Sequence, residues 1–264
     1  MCGFFNDAMK HNIWRISIII FTLLLTTCNG VVIEPSPEPT LELINLQITP
    51  ELEHWLPWVS QCAQSIDNIG IYTEIHTQED LDIDQTDLVL KLGQREESDP
   101  YVSVMGYEEL VLVGGGEIPI DTISIESLQG IFSGDITNWG DLPEVIDQGI
   151  EINQPIQTLA YPQGHILQQR FSLSYLNSEP LQTDPILFST AEGLSEKLRE
   201  YPYGVAFLLK SHTTNDLKMI TITGMDLNAA QQYVLAVTKT EPQGSLKQLL
   251  LCLQNIQGGP ISQP

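Results

Sequence analysis

His54, His76, His165 and His212 are the side chains that could exchange protons near neutrality in the body of the chain. His54, His76 and His212 stand at no spacing that a metal ion would bridge, and neither H-x-x-x-H nor C-x-x-C occurs. His165 closes the run Tyr161-Pro162-Gln163-Gly164-His165 just ahead of an apolar stretch. A lone histidine there either contacts a ligand or serves as a loop and capping residue. The acid pairs Asp82/Asp84 and Glu96/Glu97 read as solvated loops and form no EF-hand pattern. There is no G-x-S-x-G elbow and no P-loop. Gly114-Gly115-Gly116 leads into Glu117-Ile118-Pro119 rather than into a helix, so the dinucleotide fingerprint is missing too. The residue types suit binding; no catalytic residue, metal or cofactor is expected.

Charge narrows the partners. The 264 residues carry 11 Lys+Arg against 34 Asp+Glu, a formal net charge of -23. A phosphate-facing surface needs clustered cations, so nucleic acid is excluded as a partner. Attachment to anionic lipid by basic patches is excluded on the same ground. Hydrophobic residues make up 42% of the chain, which is enough to bury a globular core of one large domain or two modest lobes. A monomer is expected.

The first residues read as an export signal. Lys10 and Arg15 precede the apolar run Ile16 to Leu25, and the segment ends Leu25-Thr26-Thr27-Cys28. That run is shorter than the roughly 20 residues that span a bilayer, and its flanks fit a secretory signal over 1–27. The ending resembles a bacterial lipobox, with Thr27 where Gly, Ala or Ser is usual. The resemblance implies that Cys28 is lipidated and becomes the new N-terminus; a plain cleaved signal or an uncleaved anchor are the alternatives. Residues 28–40 contain Pro35, Pro37 and Pro39 and read as an extended tether. The expected location is extracytoplasmic, anchored to the cell membrane by lipid or secreted.

Several elements must position the candidate residues. Leu41 to Ile48 alternates as a strand, and Thr49-Pro50-Glu51 supplies an N-cap, a first-turn proline and an early acid for a helix to Ser65. Strands follow at Ile69 to Ile75, Leu88 to Leu92 and Glu109 to Val113. Ser124 caps a short helix that Gly134 ends. Further strands are expected at Ile156 to Ala160, Val205 to Leu209, Ile220 to Ile222 and Tyr233 to Val237. Helices are expected at Ile166 to Leu176 and Glu192 to Glu200, and from Ser245, the expected cap, to Gly258-Gly259-Pro260. Alternating strands and helices predict α/β layers on a largely parallel sheet. Cys62 and Cys252 fall on two apolar helix faces. Export permits a disulfide between them, but the pattern itself favours two buried thiols.

Leu128-Gln129-Gly130-Ile131-Phe132-Ser133-Gly134-Asp135-Ile136-Thr137-Asn138-Trp139 resembles the "IF-small-G-x-I-x-x-W" segment of the phosphate-binding-protein-like family of type II periplasmic solute-binding proteins. Thr86-Asp87-Leu88-Val89, Glu109 to Val113, Pro202-Tyr203-Gly204-Val205-Ala206-Phe207 and Tyr233 to Gly259 match further family pieces in order. The apolar members of the motif are expected to pack a core. The resemblance implies an α/β, two-lobed fold over 41–260 with a cleft between lobes. Lobe 1 would span about 41–110 and 210–260, and lobe 2 about 118–207. It also implies a small-molecule or oxyanion ligand and delivery to an ABC permease.

The family's phosphate loop reads "R-x-x-G-S-G-T". Here Tyr161 takes the Arg place, Gly164 is kept, and His165, Ile166 and Leu167 replace Ser-Gly-Thr. Arg170 lies one turn further on. Thr49 occupies the place of the first ligand loop, Thr77 stands near the second, and Asp87 matches a ligand residue by type. Thr49, Thr77, Asp87, Tyr161, Gly164 and His165 are therefore the candidate ligand-binding residues. The lost guanidinium and hydroxyls, with the acidic surface, argue against phosphate itself. The alternative function is a surface sensing, adhesion or scaffold module on the same fold with a degenerate site.

Overall fold

The computed structural model describes residues 40–97, 99–224 and 230–256. The expected signal, Cys28, the prolines of the tether and Gly258-Gly259-Pro260 lie outside the described residues. The described residues from Leu41 onward group as one unit.

Strand β1 (Glu42–Ile48) buries Ile44, Leu46 and Ile48, as its alternation requires. The helix expected after it is split. Pro50–Trp55 forms a 3₁₀ turn, and α1 (Leu56–Gln64) begins only afterwards. Pro57 sits in the first turn of α1, where its missing N–H does no harm; inside a continuous α-helix its ring would meet the preceding turn. The next elements are β2 (Ile69–Ile75), β3 (Leu88–Gly93) and β4 (Tyr101–Gly114). Strand β4 is 14 residues long, well beyond the Glu109 to Val113 expected, because its first half alternates buried and exposed positions less regularly.

There follow β5 (Thr122–Ser124), α2 (Ile125–Ser133), α3 (Pro143–Asp147), β6 (Gln157–Ala160), α4 (Ile166–Tyr175), β7 (Ile186–Leu187) and α5 (Ala191–Glu200). The chain ends with β8 (Gly204–Leu209), β9 (Lys218–Thr223), β10 (Gln231–Thr238) and α6 (Gly244–Ile256). Ser245 is not the cap of α6: it lies inside the helix, and its hydroxyl donates to Glu42 at 2.6 Å.

The Phe132–Trp139 motif does pack a core. The Ser124 hydroxyl accepts the Ser127 N–H at the start of α2, and Gly134 ends the helix at φ +84°. Phe132 meets Phe171 edge-on at 4.8 Å, and buried Trp139 donates its indole N–H to the Tyr203 carbonyl at 2.9 Å.

The strands run in the order β2-β1-β3-β10-β4-β8-β6-β7, with β9 paired to β4 and β5. The expectation of a largely parallel sheet is corrected to a mixed one. The pairs β1–β2, β1–β3, β6–β8, β6–β7 and β5–β9 are parallel, but β10 and β8 run antiparallel to β4, as β9 does. Tyr101 to Glu109 pair with β10, whereas Leu110 to Gly114 pair with β8, and Leu112 to Gly114 also pair with β9. One strand thus serves two sheet halves. Strand β9, expected with the first half, pairs on the second-half side.

Helices α1 and α6 are joined by a Cys62–Cys252 disulfide, with Cα atoms 5.7 Å apart across 190 residues of sequence. The two buried thiols expected are corrected accordingly: helical pattern shows which face each cysteine occupies, and only the tertiary packing of α1 on α6 shows that the faces meet. Closing so long a loop restricts the unfolded chain strongly. Reduction, or the Cys62→Ala/Cys252→Ala double variant, should lower unfolding stability by about 3–5 kcal/mol, read as a lower urea midpoint.

Candidate functional site

The first wall of the site starts where β1 ends. Thr49 donates its N–H to the Leu90 carbonyl at 3.2 Å, which ties the turn to β3. Thr49 holds the expected N-cap position with extended backbone, but its hydroxyl caps nothing and is buried without a partner. Two residues on, Glu51 is 8% exposed.

The opposite wall follows β6. Tyr161 to Gly164 turn the chain, with Gly164 at φ +97°, where a glycine is favoured. His165 then caps α4: its Nδ1 accepts the Leu167 N–H at 3.3 Å. An accepting Nδ1 carries the lone pair, so the ring proton is on Nε2. That nitrogen faces Glu51 Oε1 at 3.3 Å. Glu51 and His165 therefore bridge the two halves. The Tyr161 ring stacks on His165 at 4.3 Å, nearly parallel. Burial pushes the His165 pKa down, against the upward pull of the Glu51 carboxylate and the Ser189 backbone. Burial and the same carboxylate push the Tyr161 hydroxyl up, so it stays protonated.

A cavity of about 460 Å³ lies between these walls. Glu51, Tyr161, His165, Ser195 and His212 line it, with Glu53, Glu192, Glu196 and Arg199 around them. The Arg199 guanidinium is held by Asp216. A second cavity of about 750 Å³ shares Tyr161 and is lined by Gly164 and Arg170. Arg170 reaches across to β3: a Cβ on Gly93 would fall 2.3 Å from its Nη2.

Behind the first cavity lies a hydrogen-bonded chain that begins on β4. Buried Glu108 accepts from His54 Nε2 at 2.7 Å and from the Trp55 indole at 3.0 Å. His54 Nδ1 meets His212 Nε2 at 3.2 Å. A carboxylate can only accept, so His54 donates through Nε2, and as a neutral imidazole it accepts through Nδ1. His212 then donates through Nε2, and its Nδ1, buried without a partner, keeps a lone pair. Burial raises the Glu108 pKa, but the hydrogen bonds from His54, Trp55 and Ser211 outweigh it and hold the group below its ordinary value. Burial, helped by the nearness of His54, lowers His212 to about 4.

Of the residues singled out from sequence, Tyr161 and His165 come together on the cleft, and Thr49 sits on the turn that carries Glu51. Gly164 lines the second cavity. Thr77 is exposed and donates to Asp80 at 2.6 Å, and it lines neither cavity. Asp87 sits at the N-terminal end of β3, away from the cleft at the strands' other end. Its carboxylate accepts from the Asn45 backbone at 2.8 Å and side chain at 3.0 Å. Sequence reasoning missed Glu51, Ser195 and His212. Glu51 carried a signal, an acid straight after a strand-ending Thr-Pro; Ser195 and His212 carried none.

No family model and no curated protein matches the chain. Solved structures do match. A putative phosphate ABC transporter substrate-binding protein with bound phosphate from Clostridium perfringens aligns at TM-score 0.65 and 12% identity, over 80% of this chain and 93% of that one. An ABC-type phosphate transport receptor from Vibrio cholerae aligns at TM-score 0.59 and 12% identity, over the same 80% and 93%. A reduced form of OxyR from N. meningitidis aligns at TM-score 0.58 and 12% identity, over 82% and 96%. At such identities the likeness establishes the fold.

The His212 site makes stability depend on pH. The folded-state value near 4 lies below the ordinary 6.5, so the unfolded chain takes up its proton first. Stability should therefore fall as pH drops from about 6.5 toward 4, by up to roughly 3 kcal/mol, and this contribution should level off below that. Glu108 adds a loss of the same sign at the acid end. Urea unfolding across this window should show the slope, and His212→Asn should flatten it.

Proposed function

We propose that this chain, which has the two-lobed type II periplasmic-binding-protein-like fold, is a solute-binding protein holding a small polar ligand in its cleft for delivery to an ABC permease. One observation carries the proposal. Among the described residues, Glu51 Oε2, the Tyr161 hydroxyl, the Ser195 hydroxyl and His212 Nδ1 are buried without partners, and all four residues line the 460 Å³ cavity. A buried polar atom left unsatisfied costs about 1–3 kcal/mol, and folded proteins tolerate few. A ligand that supplies the missing partners would also touch both halves and favour their closed arrangement. The cavity volume is that of a small-molecule site.

Phosphate itself fits poorly. Tyr161 stands where the phosphate loop would have a guanidinium, and Glu51 places a carboxylate against His165, where a second anion would meet it. The candidate contacts are thus Tyr161 and His165, together with Glu51. Thr49, Thr77, Asp87 and Gly164 take no part in this cavity's lining.

Export and anchoring belong to the same proposal: residues 1–27 act as the signal, and Cys28 carries the lipid that holds the domain on the outer face of the membrane. A second function, a non-transport sensing or scaffold module, is favoured by the OxyR regulatory domains that share this fold.

A thermal-shift screen of oxyanions, sugars, amino acids and amines separates the two. A ligand at 100 times its Kd contributes about 2.7 kcal/mol, which should raise Tm by roughly 5–10 °C for a chain this size. Millimolar phosphate should give neither a shift nor calorimetric heat. If no compound moves Tm, transport loses its support and the sensing or scaffold function stands. Separately, Cys28→Ala should move the protein from the membrane fraction to the soluble one. Retention on the membrane would overturn the lipid anchor.

A further inference from the structure

The binding role just proposed leaves open which chemistry the cavity accepts, and its unpaired atoms and charges narrow that choice. Glu51 Oε1 is engaged by His165, and Oε2, an atom that can only accept, is buried without a partner. The Leu167 N–H occupies His165 Nδ1, so the imidazole 3.3 Å from Glu51 is neutral and leaves the carboxylate's charge in place. With His54 neutral, the Glu108–His54–His212 hydrogen bonds make His212 Nδ1 a second acceptor. The Tyr161 and Ser195 hydroxyls can play either part. Around them stand Glu53, Glu192 and Glu196, and the one guanidinium of the lining, Arg199, is already held by Asp216.

We infer that this cavity binds a small molecule through a primary ammonium group seated against Glu51 Oε2, its other two N–H donors going to acceptors among the Tyr161 and Ser195 hydroxyls and His212 Nδ1. An ammonium brings a positive charge and three donors and needs no donor from the wall. Phosphate or sulfate would bring acceptors to a wall rich in them and add charge of the wrong sign. A neutral polyol would bring donors but leave the Glu51 carboxylate unneutralised in a buried place. The acidic lining would also draw cations toward the cavity at low salt.

The inference rests on the cleft-binding role, and the probes are chosen so that the two can fail apart. The full chain is titrated by calorimetry and thermal shift with 1,4-diaminobutane and ethanolamine, and in parallel with 1,4-butanediol, glycerol and inorganic phosphate. The amines should bind and raise Tm, with affinity falling as salt rises; butanediol, matched in length but uncharged, and phosphate should not. Glu51→Gln keeps the size of the side chain and should weaken amine binding by at least about tenfold. Ser195→Ala and His212→Gln should weaken it severalfold, and they remain informative where Glu51→Gln does not fold.

Binding of phosphate or a polyol in place of the amines would overturn the ammonium assignment and leave the solute-binding role standing. Amine binding that survives these substitutions unchanged would place the amine outside the cavity and overturn the assignment too. No binding by any probe would count against both.

Discussion

Strand β4 has to satisfy two sheets with one backbone, and the rest of the molecule is arranged around that constraint. Up to Glu109 its hydrogen bonds go to β10, and from Leu110 they go to β8, with β9 joining from Leu112. Glu108 sits at this changeover and is buried. A buried carboxylate is tolerated only when it is hydrogen-bonded. Its partners come from both sides: His54 and Trp55 from the turn after β1, and Ser211 from the segment after β8. Satisfying that one carboxylate fixes the turn that carries Glu51, and it places His212 on the neighbouring wall. The position of the cleft thus follows from where β4 changes partners.

The Glu51–His165 contact is of a different kind. It joins side chains from the two halves, and both lose hydration to make it, so its net contribution to stability is small. Its consequence is geometric. With Oε1 held by His165 and Tyr161 stacked behind the imidazole, Oε2 has a fixed place in the cavity wall. A site held in this way is organised before a ligand arrives, which reduces the ordering that binding must pay for.

The elements that are legible in the sequence are those whose signals are local. Alternation marks β1, and Ser124 with Gly134 bounds α2 as expected. The errors have physical causes. Pro57 splits the first helix although the apolar pattern runs through it. Strand β4 is nearly three times the length expected because a strand that pairs differently along its two halves has no single buried face. The disulfide was invisible because helical periodicity reports a face and not its neighbour. In the site, Tyr161 and His165 were legible because they fall on a loop with a recognisable frame. Asp87 matched by type, yet it serves as a clip on Asn45 at the far end of β3. Ser195 and His212 come from separate segments that meet only in the folded molecule, so no spacing could have revealed them.

Fold and site chemistry diverge here for a reason that the geometry makes plain. In an open α/β sheet the strands and core set where a cleft opens, while the loops beyond the strand ends set what it contains. The fold matches the phosphate receptor structures at only 12% identity. One position at a strand end sets the sign of the lining: Glu51 points a carboxylate across the cleft to His165. At contact distances of about 4 Å and an effective dielectric near 20, each unit charge changes the interaction with a bound ion by roughly 4 kcal/mol. A carboxylate at that distance therefore disfavours an anion in the cavity and favours a cation by a few kcal/mol, with no demand on the core.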